Sequence, residues 1–197
     1  MKKWLIPVGI IVVVAFAIYK MAVGFYNTAV DLEQDSKTAW SNVESAYQRR
    51  ADLIPNLVST VKGYAAHEKE TLEGVIKARS EATKTTIDPT NITPEKMAAF
   101  QKAQEGLSGA LSRLLVTVER YPDLKANQNF LELQSQLEGT ENRINVERNK
   151  FNETVNKFSK HIKKFPNNFL NGFIGNFKEM PRFESAPGSD VAPKVEF

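Results

Sequence analysis

Two histidines, His67 and His161, are present among 197 residues, and cysteine is absent altogether. Thiol nucleophiles, disulfides, iron–sulfur clusters and Cys-based zinc sites are therefore excluded, while the redox compartment stays open. A carboxylate-bridged di-iron site needs Glu-x-x-His on one helical face, yet Tyr64 stands three residues before His67 and Phe158 three before His161. The His-Glu-x-x-His zinc motif fails at Thr71. Neither a Gly-x-x-x-x-Gly-Lys-Ser/Thr phosphate loop nor a Gly-x-Ser-x-Gly nucleophile turn occurs. No catalytic residue, metal ligand or cofactor site is predicted.

Charge at positions that helical spacing directs inward is the remaining chemical signal. The rhythm of Val61 and Ala65 extends to Glu68 and Arg79, and that of Leu137 and Ile144 passes Thr140, Glu141, Glu147 and Arg148. Unpaired charges there would be costly, so partners are expected. Counting along the helices pairs Glu68 with Arg143, and sets Arg49 and Arg50 near Glu119 and Asp123. Two uses are open: ion pairs that fix helix register and partner choice, or a polar band that binds a ligand.

The elements that must position these residues are all helical. Trp4 to Tyr19 carries no charge, and the apolar run resumes after Lys20 through Tyr26. Roughly 20 apolar residues cross ~30 Å of hydrocarbon, so 1–26 is predicted as a transmembrane anchor with Lys20 snorkelling. A cleaved signal peptide, with Lys2 and Lys3 as its basic start and Ala22-Val23-Gly24 as its cleavage site, is the competing reading. Lys2 and Lys3 favour a cytoplasmic N-terminus with the domain exported.

From Tyr26 onward apolar residues recur at three and four, without strand alternation. The predicted fold is all-α: the transmembrane helix followed by an antiparallel up-and-down four-helix bundle over 27–165, with helices at about 27–50, 53–84, 94–119 and 123–165. Asp52 is read as an N-cap with Pro55 in the first turn of the second helix. An extended hairpin that completes its core by oligomerising, with Pro55 a kink, is the alternative. Thr93-Pro94-Glu95 gives three concordant start signals for the third helix. The fourth keeps near-heptad spacing from Phe130 to Phe165 and stops at Pro166.

At 1.5 Å per residue the first soluble helix spans roughly 36 Å and the fourth roughly 64 Å. The surplus points back toward the bilayer, where Lys157, Lys160, Lys163, Lys164, Lys178 and Arg182 accompany a series of phenylalanines. Residues 166–183 are therefore predicted as a membrane-interfacial segment, with Phe169, Phe173, Phe177, Lys163 and Lys164 as its contacts. Closure of the bundle's open end by the same phenylalanines is the competing reading. Residues 184–197 have the composition of a disordered tail. The net charge of +3 is too small to imply nucleic acid.

Three stretches taken in order carry a family resemblance. They are Tyr47-Gln48-Arg49-Arg50-Ala51-Asp52-Leu53-Ile54-Pro55-Asn56-Leu57-Val58 continuing to His67-Glu68, Arg120-Tyr121-Pro122-Asp123-Leu124-Lys125-Ala126-Asn127, and Leu137-Glu138-Gly139-Thr140-Glu141-Asn142-Arg143-Ile144. The chain resembles the LemA family of bacterial membrane-anchored helical proteins over about residues 20–183. Departures are mild, with Phe151-Asn152 and Phe158-Ser159 where Tyr-Asn is commoner. The resemblance implies a membrane helix and a helical bundle, and no established enzymatic activity. The expected function is a membrane-anchored scaffold or interaction protein of the cell envelope. It would have an unidentified protein partner or a second copy of itself to bind. The alternative is a ligand- or lipid-binding sensor using the polar band or the Phe-rich end.

Overall fold

The computed structural model describes residues 4–184. Its elements are α1 (Leu5–Tyr64), α2 (Lys69–Lys84), α3 (Pro94–Val118), α4 (Pro122–Lys125), α5 (Gln128–Lys163) and α6 (Asn167–Leu170), then a π-helical turn at Asn171–Gly175. Among the described residues there is no strand. The all-α class with a long apolar N-terminal helix is the one expected. The tail from Ser185 and the basic pair Lys2-Lys3 lie outside the described residues.

Helix borders differ from those expected in two places. Helix α1 runs unbroken for 60 residues, about 90 Å at 1.5 Å per residue, so it does not end near Arg50. Pro55 sits inside it, and Asp52 is an exposed mid-helix residue rather than an N-cap. A mid-helix proline costs about 3 kcal/mol, because it withdraws the donor from the carbonyl four residues back and its ring crowds that carbonyl. Here that carbonyl, Ala51, accepts the Nε–H of Arg79 at 2.7 Å. The break comes instead at Ala65–Glu68, where the Glu68 N–H bonds the Ala65 carbonyl at 3.1 Å. Residues 53–64 therefore belong to α1, and α2 is a 16-residue helix.

The expected fourth helix is likewise divided. After the single turn of α4, Asn127 accepts the Phe130 N–H on Oδ1 at 3.1 Å and caps α5. The start of α3 matches its sequence signals: Pro94 occupies the first turn and the Thr93 hydroxyl accepts the Lys96 N–H at 3.3 Å.

The chain forms two compact units. The first combines, among the described residues, 4–49 with 140–180. Within it α1 and α5 run antiparallel, since Phe25 stacks on His161 and Trp40 meets Phe151 edge-on at 5.3 Å. Phe25, Ala29, Phe158 and Ile162 are buried together, with Leu32, Leu170, Phe177 and Met180 against them. Val30 is exposed, whereas Phe25 and Ala29 are buried. N-terminal to Phe25 the large apolar side chains of α1 are exposed, and this stretch is long and apolar enough to cross a membrane.

The second unit takes residues 50–139 with, among the described residues, 181–184. Its core joins Ile54, Leu57 and Val61 of α1 to Leu72 and Val75 of α2, Leu107 and Leu114 of α3, Leu124 of α4, and Phe130 and Leu137 of α5. Contacts of Gln104 with Ala82 and of Tyr121 with Glu68 make α2 and α3 antiparallel. Ile76 of α2 is exposed while its neighbour Val75 is buried.

Candidate functional site

In the second unit, polar side chains tie one helix to the next at defined levels. Arg50 is buried. Its Nη1 donates to Ser108 Oγ at 2.9 Å, and its Nη2 donates to Gln104 Oε1 at 2.7 Å and to the Gln104 carbonyl at 3.3 Å. Gln104 in turn donates from Nε2 to the Ala82 carbonyl at 3.2 Å. One guanidinium and one carboxamide thus link α1, α3 and the end of α2, which satisfies polar atoms that would otherwise be buried at a cost.

At the other end of α2, Glu68 is the residue preceding the helix. Its Oε1 accepts from Tyr121 Oη at 2.8 Å and from Arg120 Nη2 at 3.0 Å. The carboxylate beside it raises the Tyr121 hydroxyl above the ordinary tyrosine value, because ionising the phenol would lose that hydrogen bond and set two anions together. Asn127 donates to Tyr64 Oη at 2.9 Å, so the end of α1 is tied to the start of α5.

These partners correct the predicted ones. Glu68 is held by Arg120 and Tyr121 rather than by Arg143, which is exposed on α5. Arg50 reaches Gln104 and Ser108 rather than Glu119 or Asp123, because α1 continues beyond it to Tyr64 and leaves it level with α3's middle turns. Arg49 and Asp123 are exposed, and Glu119 is ion-paired with Lys125. Glu141 and Arg148 are half-buried on α5, where the buried carboxylate is Glu147, paired with Lys150 at 3.1 Å. The polar partners Gln104, Ser108 and Asn127 escaped the sequence reading, because uncharged side chains on a helical stripe carry no pairing signal.

A shallow cleft of about 430 Å³ lies between α1 and α5 of this unit. Leu53, Asn56, Ser59 and Thr60 form one wall, and Asn129, Glu132, Leu133 and Gln136 the other. Its lining offers amide, hydroxyl and carboxylate groups to an uncharged polar or basic partner. Among the described residues no group of three His, Asp or Glu side chains is placed to hold a metal ion.

The Phe-rich end belongs to the first unit. His161 stacks on Phe25 with ring centroids 5.4 Å apart, and its Nε2 lies 3.1 Å from the Phe25 carbonyl, which can only accept. Nε2 therefore carries the proton, and Nδ1 is left to accept from Asn167 Nδ2 at 3.3 Å. Asn167 also donates to the His161 carbonyl at 2.9 Å. Asn171 holds both backbone groups of Phe177, accepting its N–H at 2.9 Å and donating to its carbonyl at 3.0 Å. Phe177, predicted as a lipid contact, is turned inward onto Phe25, Tyr26 and Phe158. Phe169 and Phe173 are exposed, as are Lys163, which pairs with Glu179 at 2.6 Å, and Lys164.

An exposed apolar helical stretch that continues into a packed helical body, tied together by polar side chains, defines a membrane-associated all-α protein. The chain belongs to the LemA family, whose model matches residues 39–197. It is 28% identical over 183 residues to the magnetosome protein MamQ 1 of Paramagnetospirillum magneticum, covering 84% of this chain and 67% of that one. It is 26% identical over 190 residues to MamQ of Magnetospirillum gryphiswaldense, covering 86% and 70% respectively. With Protein LemA of Metamycoplasma hominis it shares 26% over 126 residues, 64% of this chain and 54% of the relative.

Proposed function

We propose that this protein is a membrane-anchored helical interaction module of the cell envelope, with residues 4–24 spanning the bilayer and the helical body offering a protein-binding face. One observation carries the reading: the apolar stretch and the residues that pack against α5 lie on the same uninterrupted helix. An anchor followed by a flexible linker would leave its cargo free to reorient, whereas a helical junction transmits the anchor's direction to the first unit. The MamQ relatives are named for a cellular structure, the magnetosome, and not for a reaction. This agrees with a module that acts by binding.

The polar cleft between α1 and α5 is the face we assign to the partner. Photo-crosslinking residues at Asn56 and Glu132, installed in the full chain in native membranes, should give discrete protein adducts in near-stoichiometric yield. Adducts only with small molecules or lipid would transfer the assignment to the second reading, a ligand sensor, which the cleft's polar lining favours. The direction of insertion follows the proposal of a cytoplasmic N-terminus. Protease added to intact spheroplasts should then degrade the helical body while leaving the anchor, and full protection would reverse the orientation.

A further inference from the structure

We propose that residues 160–178 form a lipid-binding collar, with Phe165, Phe169, Phe173 and Ile174 entering the boundary between headgroups and acyl chains beside the exit point of α1. Lys160, Lys163 and Lys164 lie against anionic headgroups in this arrangement. The collar rests on the reading of residues 4–24 as the spanning segment and adds a second, independent contact with the bilayer.

Position is the first argument. At 1.5 Å per residue the stretch 4–24 covers about 30 Å, the thickness of the hydrocarbon core, so Phe25 emerges at its edge. Phe25 is also the residue on which the C-terminal segment is fastened. His161 stacks on its ring and bonds its carbonyl, Phe177 meets its edge at 6.2 Å, and Leu170 and Met180 join the same buried cluster. The segment is thereby held at the level where the anchor leaves the membrane.

The second argument is that the segment has two apolar faces and folding uses one. Leu170, Phe177 and Met180 face inward. Phe165, Phe169, Phe173 and Ile174 are 87%, 63%, 73% and 44% exposed. The rings of Phe169 and Phe173 touch with centroids 4.8 Å apart, so these two make one patch. Contiguous exposed aromatics of this kind mark a binding surface. Continuity with the anchor identifies the surface they meet as lipid.

Charge is the third. Residues 160–180 contain four lysines against one glutamate, and Lys160, Lys163, Lys164 and Lys178 are all exposed. Basic residues around an aromatic patch match the interfacial pattern, in which rings enter by ~5–10 Å and cations stay at the headgroups.

Absence of cysteine makes the test direct. Single-cysteine variants Val13→Cys, Ser45→Cys, Phe169→Cys and Phe173→Cys of the full chain would carry an environment-sensitive fluorophore. They would be reconstituted in vesicles of phosphatidylcholine, with or without phosphatidylglycerol, containing nitroxide lipids labelled near the headgroup or deep in the chain. The expected result is that roughly half of the fluorescence at 169 and 173 is lost to the shallow quencher and about none at 45, as interfacial burial demands. Phosphatidylglycerol should deepen quenching at 169 and 173, and Lys160→Gln with Lys164→Gln should abolish that increment. Labels at 169 and 173 that behave like the one at 45, while Val13→Cys is quenched by the deep nitroxide, would overturn the collar and leave the anchor standing. An unquenched Val13→Cys would overturn both. Spin labels at 173 that broaden one another independently of lipid would assign the patch to a second copy and reject the lipid reading.

Discussion

Arg79 donates its Nε–H at 2.7 Å to the main-chain carbonyl of Ala51, the acceptor that Pro55 leaves without its usual helical donor. The carbonyl is supplied from the neighbouring helix α2, so a feature that ordinarily ends a helix becomes a point of attachment between two. Arg79→Met should therefore lower stability by about 1.5–3 kcal/mol, as expected for a hydrogen bond from a charged donor. In a Pro55→Ala background, where residue 55 again donates to Ala51, the same change should cost under about 1 kcal/mol, because the two groups compete for one acceptor. Urea unfolding followed by circular dichroism on the four chains of this cycle measures the difference. Equal costs in both backgrounds would remove the coupling.

A second expectation concerns Arg50 and Gln104. Gln104→Leu withdraws the side-chain acceptor at 2.7 Å and also the donor to Ala82, leaving a buried guanidinium less well satisfied. The loss should be about 2–4 kcal/mol. Arg49→Ala, at the exposed neighbouring position, should stay within about 0.5 kcal/mol of the parent chain. Midpoints of chemical unfolding for the two variants provide the comparison.

Tyr121 gives the alkaline limit of the fold a specific origin. Its hydroxyl donates to Glu68 and titrates above the ordinary tyrosine value for that reason. A group whose pKa is raised on folding contributes its full stabilisation below the unfolded value, about 10 for tyrosine, and loses it as pH climbs through the raised value. Melting temperature should hence show no pH dependence from this pair across neutral pH, where its contribution is full, and a decline above about 10. Tyr121→Phe should remove that component of the decline, as should Glu68→Gln. An alkaline profile unchanged in both variants would detach it from this contact.

Gly175 is a sensitive position in the Phe-rich segment. A Cβ there would lie 2.6 Å from Asn171 Oδ1 and 2.6 Å from the Phe177 ring, and both neighbours are fixed, the amide by its two bonds to Phe177 and the ring by Phe25 and Phe158. Asn176, which follows, has φ 50 in the left-handed region. Gly175→Ala should cost about 1–3 kcal/mol of overpacking strain, confined to this segment. Hydrogen exchange should show faster exchange of amides over 168–177 and unchanged protection of α2 and α3.

How much of this was legible beforehand varies with the kind of signal. The start of α3 could be read from Thr93-Pro94-Glu95, because capping is a contest among neighbouring residues and its outcome is local. The end of α1 could not. Pro55 after Asp52 has the local signature of a helix start, and the donor that replaces the one Pro55 lacks, Arg79, lies far along the chain. The charge at Glu68 was recognised as needing partners, but helix counting from the wrong break chose Arg143 over Arg120 and Tyr121. Gln104 left no trace in the pattern, since a neutral amide on a stripe reads as a surface residue.

By itself the sequence determined the all-α class, the long apolar N-terminal stretch and the lack of thiol chemistry, all of which depend on composition or on short-range period. Tertiary structure decided which phenylalanines face inward. Phe169, Phe173 and Phe177 share one spacing in the chain, yet Phe177 is folded back by the amide of Asn171 onto Phe25 while the other two stay outside. A side chain's direction after a turn depends on backbone bonds made across that turn, and hydrophobic periodicity within a single helix contains no information about them.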